Sequence, residues 1–103
     1  MALLVKPGCD VEVFEIPPSS DTSLKTLQDA VGGLIQIVPC GAHIDGPAGG
    51  DFVGMICNEE GKINGMPLNK EATAIYGRWL NSIGEAADPI MGPAIFFKDG
   101  EVD

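Results

Sequence analysis

The sequence predicts one α+β domain in which two helices form a single layer on a mainly antiparallel or mixed β-sheet. Three observations predict it: short apolar or alternating runs typical of strands, two stretches with apolar residues at helical spacing, and a glycine after each of those stretches. The chain has 103 residues, the size of a single domain. The predicted element order is ββαββ(β)αβ, with one short strand in brackets, and a β-grasp-like sheet is compatible with it.

An N-terminal hairpin is predicted before the first helix. Residues 3–6 form a short apolar run that ends at Pro7-Gly8, a turn dipeptide. Residues 11–16, VEVFEI, alternate between apolar and polar side chains. Val11 and Val13 are therefore expected to face the core.

The first helix is predicted from Leu24, Leu27 and Val31, whose spacing of i, i+3 and i+7 gives one apolar face. The polar segment 19–23 offers several N-cap oxygens, so the first residue of the helix is left open. Gly32-Gly33 predicts its end, because glycine enters the left-handed region at little cost.

A central strand and a long loop are predicted next. Residues 34–38, LIQIV, are too apolar for an exposed edge. Residues 39–50, PCGAHIDGPAGG, contain four glycines and two prolines, which predicts a flexible connection. This loop lacks the Gly-Lys-Ser/Thr ending of a phosphate-binding loop.

A second hairpin follows in the prediction. Residues 52–57 predict a buried strand and residues 63–66 a short return strand. Between them, residues 58–62 predict the hairpin turn, with Gly61 at its positive-φ position.

A second helix is predicted behind Asn69, a good N-cap residue, and Gly84 marks its end. Gly77 costs helix propensity, which predicts a close approach to another backbone. Residues 89–97 predict the last strand, with a bulge at Gly-Pro, and residues 98–103 a solvated tail. The second helix carries one apolar stripe: Ala72, Ile75, Tyr76, Trp79, Leu80 and Ile83.

Three segments resemble the DUF3846 family of small phage and bacterial proteins: LQDAVGGLIQIVP, ICNEEGKINGMPLNKEATAIYG and DPIMGPAIFF. The resemblance extends over residues 24–97, and its most specific part is the Asn-acid-acid-Gly turn followed by a proline and an asparagine. It implies a phage- or mobile-element-associated cytosolic protein without an established activity, and it brings no catalytic residues. The 39–50 loop and the WLNSIGEAA extension exceed the family pattern, so a special function would lie there.

Acidic residues outnumber basic residues by 15 to 6, a net charge of −9. This charge opposes direct binding to nucleic acid and to anionic membranes. It either keeps a small protein soluble or forms an acidic surface that imitates nucleic acid and occupies a DNA-binding protein. The sequence shows no features of a signal peptide or membrane span, so the expected location is the host cell cytoplasm.

The cysteines and the single histidine raise two chemical hypotheses. Cys40, His43 and Asp45 resemble part of a zinc site, but structural zinc takes four ligands and no second close pair occurs, so no metal or other cofactor is predicted. Cys40 as a nucleophile with His43 as its base is an alternative, although a Gly/Pro loop does not hold two groups rigidly. The protein is therefore expected not to be an enzyme.

Candidate binding residues concentrate near the second hairpin and the start of the second helix, where free N–H groups suit an anion. The alternative is a solubilising turn beside an ordinary helix cap. Together with two loop residues, the candidates are Asn58, Glu59, Glu60, Lys62, Asn64, Asn69, Thr73, Tyr76, Arg78, His43 and Asp45.

Three functions follow from these observations. The favoured one is a non-enzymatic phage or mobile-element protein that binds and neutralises a host protein, an anti-defence inhibitor of the anti-CRISPR or anti-restriction type, through its acidic surface or its variable loop. The second is a module that binds or sequesters a small ligand such as a nucleotide, as an oligomer. The apolar stripe of the second helix is expected to belong to the core, and it would mark a homo-oligomer contact if it is wider than one sheet face can cover. The third is an enzyme that uses Cys40 and His43.

Overall fold

A computed structural model describes residues 1–17, 21–46, 49–86 and 88–102. The predicted α+β class and element order are confirmed. The elements are β1 (Ala2–Val5), β2 (Glu12–Phe14), α1 (Asp21–Val31), β3 (Ile35–Ile44), β4 (Gly50–Asn58), α2 (Lys70–Ser82) and β5 (Ala94–Phe97). No helix within these ranges is both long and apolar enough to cross a membrane. The predicted N-cap segment 19–23 lies outside the side chains that the structure describes.

The strands form one antiparallel sheet in the order β2-β1-β5-β4-β3. The last strand in the chain therefore lies at the centre, between β1 and β4. This order corrects the prediction that residues 34–38 are central, because β3 is an edge strand. Its residue Ile37 is 51 % exposed.

Each face of the sheet carries one helix, so the prediction of a single helical layer is wrong. Successive residues of a strand point to opposite faces, and Leu3 packs in the α2-side core while Leu4 packs in the α1-side core. Ile95 and Phe96 of β5 divide in the same way. Strands that are apolar on both faces need cover on both, which gives three layers.

The segment predicted as a loop, residues 39–50, is largely strand. β3 extends to Ile44, and β4 begins at Gly50, so the two strands form one long hairpin with a register shift between Pro39 and Ala42. Residues 47 and 48, within the connection, lie outside the described residues. Proline is accepted in β3 because this strand is at the sheet edge.

The bracketed strand at residues 63–66 is not formed, and turns occupy residues 59–65 instead. Positive φ occurs at Gly65 (65°), whereas Gly61 has no positive φ, so that prediction is also wrong. Gly61 is required for space, because a Cβ atom there would come 2.6 Å from the carbonyl oxygen of Met91.

Several boundaries differ from the predictions. The last strand begins at Ala94 rather than at residue 89. The tail is not wholly solvated, because Val102 packs against the α1-side core and the Glu101 carboxylate pairs with the N-terminal amine at 3.2 Å. Gly77 shows no close approach to another element, since no heavy atom of the described residues, apart from its chain neighbours and its own helix backbone, lies within 4 Å of where its Cβ would be.

Four apolar side chains that were expected in the core are 43–53 % exposed. The physical reason is position: β2 pairs with only one neighbour, while Leu24 lies in the first turn of α1 and Ile83 is the C-cap of α2. These residues are Val11, Val13, Leu24 and Ile83.

Candidate functional site

A cavity of about 260 Å³ lies at the open end of the β3–β4 hairpin, where β3 begins and β4 finishes. It is enclosed by the 59–62 turn, α2 and residues 88–91. It brings together four of the predicted candidates: Asn58, Glu59, Lys62 and Tyr76. Its remaining lining residues are Gln36, Val38, Cys57, Gly61, Asp88, Pro89, Ile90 and Met91.

The charged groups of this cavity are one exposed ion pair and one exposed acid. The Lys62 Nζ atom lies 2.7 Å from Asp88 Oδ1, and both side chains are more than half exposed. Glu59 is exposed beside them. Ion pairs with this exposure contribute little to stability, so Lys62 and Asp88 can exchange partners at low cost.

The walls carry two neutral hydrogen-bonding groups. Burial, followed by the nearby Asp88 carboxylate, raises the pKa of the Tyr76 hydroxyl, so the phenol stays protonated at neutral pH. Burial also raises the pKa of the Cys57 thiol, with Asp88 adding to the shift and Lys62 opposing it. The Tyr76 ring stacks on Trp79, with centroids 6.2 Å apart and an interplanar angle of 23°.

Asn58 and Asn69 are both buried, and their amide groups bond within the fold. Asn58 Nδ2 donates to the Val31 carbonyl oxygen at 3.1 Å, and Oδ1 accepts from the Glu60 N–H at 2.8 Å. Asn69 caps α2 by accepting from the Ala72 N–H at 3.0 Å. This bond occupies one of the N–H groups at the start of α2 that were predicted to suit an anion.

The other candidates near α2 divide between the cavity wall and the surface. Thr73 Oγ1 accepts from the Ile90 N–H at 2.9 Å and so holds one wall of the cavity against the helix. Glu60 and Asn64 are exposed and do not line the cavity. Arg78 lines a separate, smaller cavity of about 200 Å³ beside Trp79.

His43 and Asp45 lie at the opposite end of the β3–β4 hairpin, next to Asp51. The His43 Nδ1 atom is 2.8 Å from Asp51 Oδ1, and its Nε2 atom is 3.0 Å from Asp45 Oδ1. Only an imidazolium donates from both ring nitrogens. The hydrogen bonds that the His43 ring donates to Asp51 and, second, to Asp45 therefore raise the pKa of His43, although the ring is exposed.

Cys40 and His43 do not form a nucleophile–base pair. Cys40 is fully buried in the α2-side core, and burial raises the pKa of its thiol to about 11. Because the thiolate is the reactive form, this thiol is a poor nucleophile. Among the residues that the structure describes, no three His, Cys, Asp or Glu side chains are placed to hold a metal ion.

Gln36, Asp88 and Met91 line the cavity but were not predicted. Gln36 comes from the edge strand, and the other two come from the segment before β5. Their meeting depends on strand order, which local patterns do not encode. A partial indication was present in Gln36, the one polar side chain within an apolar strand.

Comparison with known proteins identifies one family. The model of the family named Domain of unknown function (DUF3846) matches residues 1–103, the whole chain. A search of curated proteins and a search of solved structures each found no match.

Proposed function

Because the chain belongs to the DUF3846 family, which has no known function, we infer its role from its own surface and propose a non-enzymatic phage or mobile-element protein that binds and neutralises a basic host protein. The observation that carries this proposal is the excess of exposed carboxylates. Asp45 and Asp51, at the turn end of the β3–β4 hairpin, have side chains that are 97 % and 91 % exposed. Glu59 and Glu60 form a second exposed acidic pair.

The basic residues do not offset these acids. Lys6, Lys25 and Lys62, half of the six basic residues, pair with Glu or Asp side chains within the fold. The resulting field attracts a positively charged partner and repels nucleic acid. A host protein with a basic surface for nucleic acid is therefore the partner class that we propose, which fits an anti-defence inhibitor acting in the host cytoplasm.

The experiment is co-purification from lysates of bacterial hosts, with each captured protein then assayed for loss of its own activity. We expect a basic partner whose capture weakens as ionic strength rises from about 0.01 to 0.1 M, since the Debye length falls from about 30 to 10 Å. Glu59→Gln with Glu60→Gln, or Asp45→Asn with Asp51→Asn, should weaken capture.

The matched control is Lys25→Gln with Asp29→Asn, which removes an exposed ion pair without changing the net charge. It should leave capture and inhibition unchanged. Capture of nothing, or of a partner whose binding is indifferent to salt and to the acid substitutions, counts against an acidic binding surface.

The cavity beside Tyr76 favours a second candidate, the binding of a small polar ligand. Its volume of about 260 Å³ lies just below the usual range of about 300–1,000 Å³ for ligand sites, so a base or sugar fits better than a whole nucleotide. We expect such a ligand to raise the melting temperature, and Tyr76→Phe to reduce that rise. Asn64→Ala, in the exposed turn, is the control. Protein that releases no ligand on heating and shows no shift across nucleotides and their parts contradicts this candidate.

A further inference from the structure

The two edges of the sheet differ in how they are protected. Edge strands expose unpaired N–H and C=O groups and are usually short, charged or interrupted. β2 follows this rule, because it has three residues and its Glu12 pairs with Lys6 at 3.6 Å. β3 has ten residues, and residues 33–42 contain no charged side chain. In a chain with a net charge of −9, this neutral edge is unusual.

The hydrogen-bond pattern of β3 identifies its free groups. The Glu59 N–H donates to the Leu34 carbonyl oxygen at 2.8 Å, which makes this a hydrogen-bonded pair of the β3–β4 ladder. Because such pairs alternate along an antiparallel ladder, Gln36 and Val38 also bond toward β4. The N–H and C=O groups of Ile35 and Ile37 therefore point outward, away from the sheet. Residue 39 also faces outward, and there proline has no N–H to offer.

We propose that this edge binds a second copy of the chain, through antiparallel pairing of β3 with its symmetry mate about a two-fold axis at Gln36. In this register Ile35 faces Ile37 of the second copy, and each exchanges both backbone hydrogen bonds with its counterpart. A register centred on Ile37 would place Pro39 opposite Ile35 and lose donors. The proline therefore favours the Gln36-centred register.

The side chains are self-complementary in the same register. Ile37, 51 % exposed in the single chain, meets Ile35 of the second copy on the α1 face of the sheet. On the α2 face, Leu34, 53 % exposed, meets Val38. Pro39 lies opposite Gly33, which has no side chain to obstruct it. Apolar cross-strand pairs of this kind stabilise sheets.

The effect of salt distinguishes this self-association from the proposed binding of a host protein. The interface itself is neutral, but each chain carries a charge of −9, so the two copies repel at long range. Screening by salt should strengthen self-association, whereas it should weaken binding of a basic partner. The two proposals therefore respond in opposite directions to ionic strength and fail independently.

Sedimentation across protein concentrations tests the proposal. We expect a monomer–dimer equilibrium that shifts toward dimer with salt, and slowed hydrogen exchange at the Ile35 and Ile37 amides as the dimer forms. Ile37→Lys should raise the dissociation constant on the order of a hundredfold, about tenfold for each of the two lysines it introduces. Ile63→Lys, at a turn residue that is 82 % exposed, should leave the dissociation constant unchanged.

Cross-linking tests the register, in a Cys9→Ser background that removes the exposed native thiol. Gln36→Cys should form an intermolecular disulfide under mild oxidation, because its Cα atoms lie about 4.5 Å apart in this pairing. Ile37→Cys is the matched control, since its two copies are offset along the strands beyond the bridging limit of about 7 Å. The proposal is overturned if the protein is a monomer at every concentration, including the case in which a strand of another protein pairs with β3. A dimer that Ile37→Lys leaves intact also overturns it.

Discussion

Asn69 is expected to be the residue whose side-chain amide contributes most to stability. Its Oδ1 atom caps α2, while Nδ2 donates to the carbonyl oxygens of Val5 at 2.8 Å and Gly92 at 2.9 Å. The side chain is fully buried. One amide therefore ties the start of the helix to the end of β1 and to the turn before β5.

The size of the effect follows from these three bonds. Loss of an Asn N-cap costs about 1 kcal/mol. Each buried carbonyl that loses its donor costs about 1–3 kcal/mol. Asn69→Ala should therefore lower the free energy of unfolding by about 3–7 kcal/mol, a large part of the roughly 5–15 kcal/mol available to a domain.

Two further substitutions separate the cap from the donor. Asn69→Ser keeps a capping oxygen but loses both donated bonds, so its loss should be smaller than that of alanine. Asn69→Asp also caps well at exposed positions. Here it would direct a buried carboxylate at two carbonyl oxygens, so it should be at least as destabilising as alanine.

Urea unfolding followed by the fluorescence of Trp79, the single tryptophan, measures these differences. Asn64→Ala in the exposed turn is the control and should change stability by less than about 0.5 kcal/mol. If Asn69→Asp is as stable as the wild-type protein, the cap alone matters and the assignment of the amide donor is refuted.

Three other outcomes are expected. Gly77→Ala should stabilise by about 1 kcal/mol in the same urea assay, because a methyl group has open space there, whereas Gly54→Ala should destabilise because its Cβ would overlap the Phe97 ring; equal effects would contradict this packing. By NMR, the pKa of His43 should lie above its ordinary value of 6.5, and Asp51→Asn should lower it. The stabilisation by the His43–Asp51 contact should be complete below pH 6.5 and vanish as pH rises through the raised pKa. A histidine with an unshifted pKa would contradict this. A thiol reagent should modify Cys9 quickly and the other two cysteines only on unfolding, and fast modification of Cys40 would contradict its burial and its pKa of about 11.

Local patterns predicted the helices well. The N-cap at Asn69 and the buried positions Leu27 and Val31 are as expected, because both depend on residues within a few positions in the chain. The glycine stop after α1 is also confirmed, with Gly32 at a φ of 83°. Helix caps and helical faces involve short sequence separations, so their physical causes are visible in the sequence.

The candidate site was only partly predictable because its contacts are distant in sequence. Asn69 could be recognised as a cap, but its amide donates to Val5 and Gly92, which are 64 and 23 positions away in the chain. The cavity likewise depends on Gln36 and Asp88, which strand order brings together. The hairpin that separates His43 from the cavity was hidden by glycines and prolines that elsewhere indicate loops.

The edge position of β3 agrees with its polar and proline residues and not with its apolar composition. Its apolar composition indicated a central strand, but a central strand of this sheet is buried on both faces, and residues 34–38 include the polar Gln36. Residues 94–97, AIFF, have no polar side chain, and all four are buried at the true centre. Pro39 also identifies an edge, because a proline inside a sheet would break a ladder on the side where its N–H is missing. Apolar composition thus reports that a strand contacts a core, whereas the positions of polar residues and proline report on which side it has no neighbour.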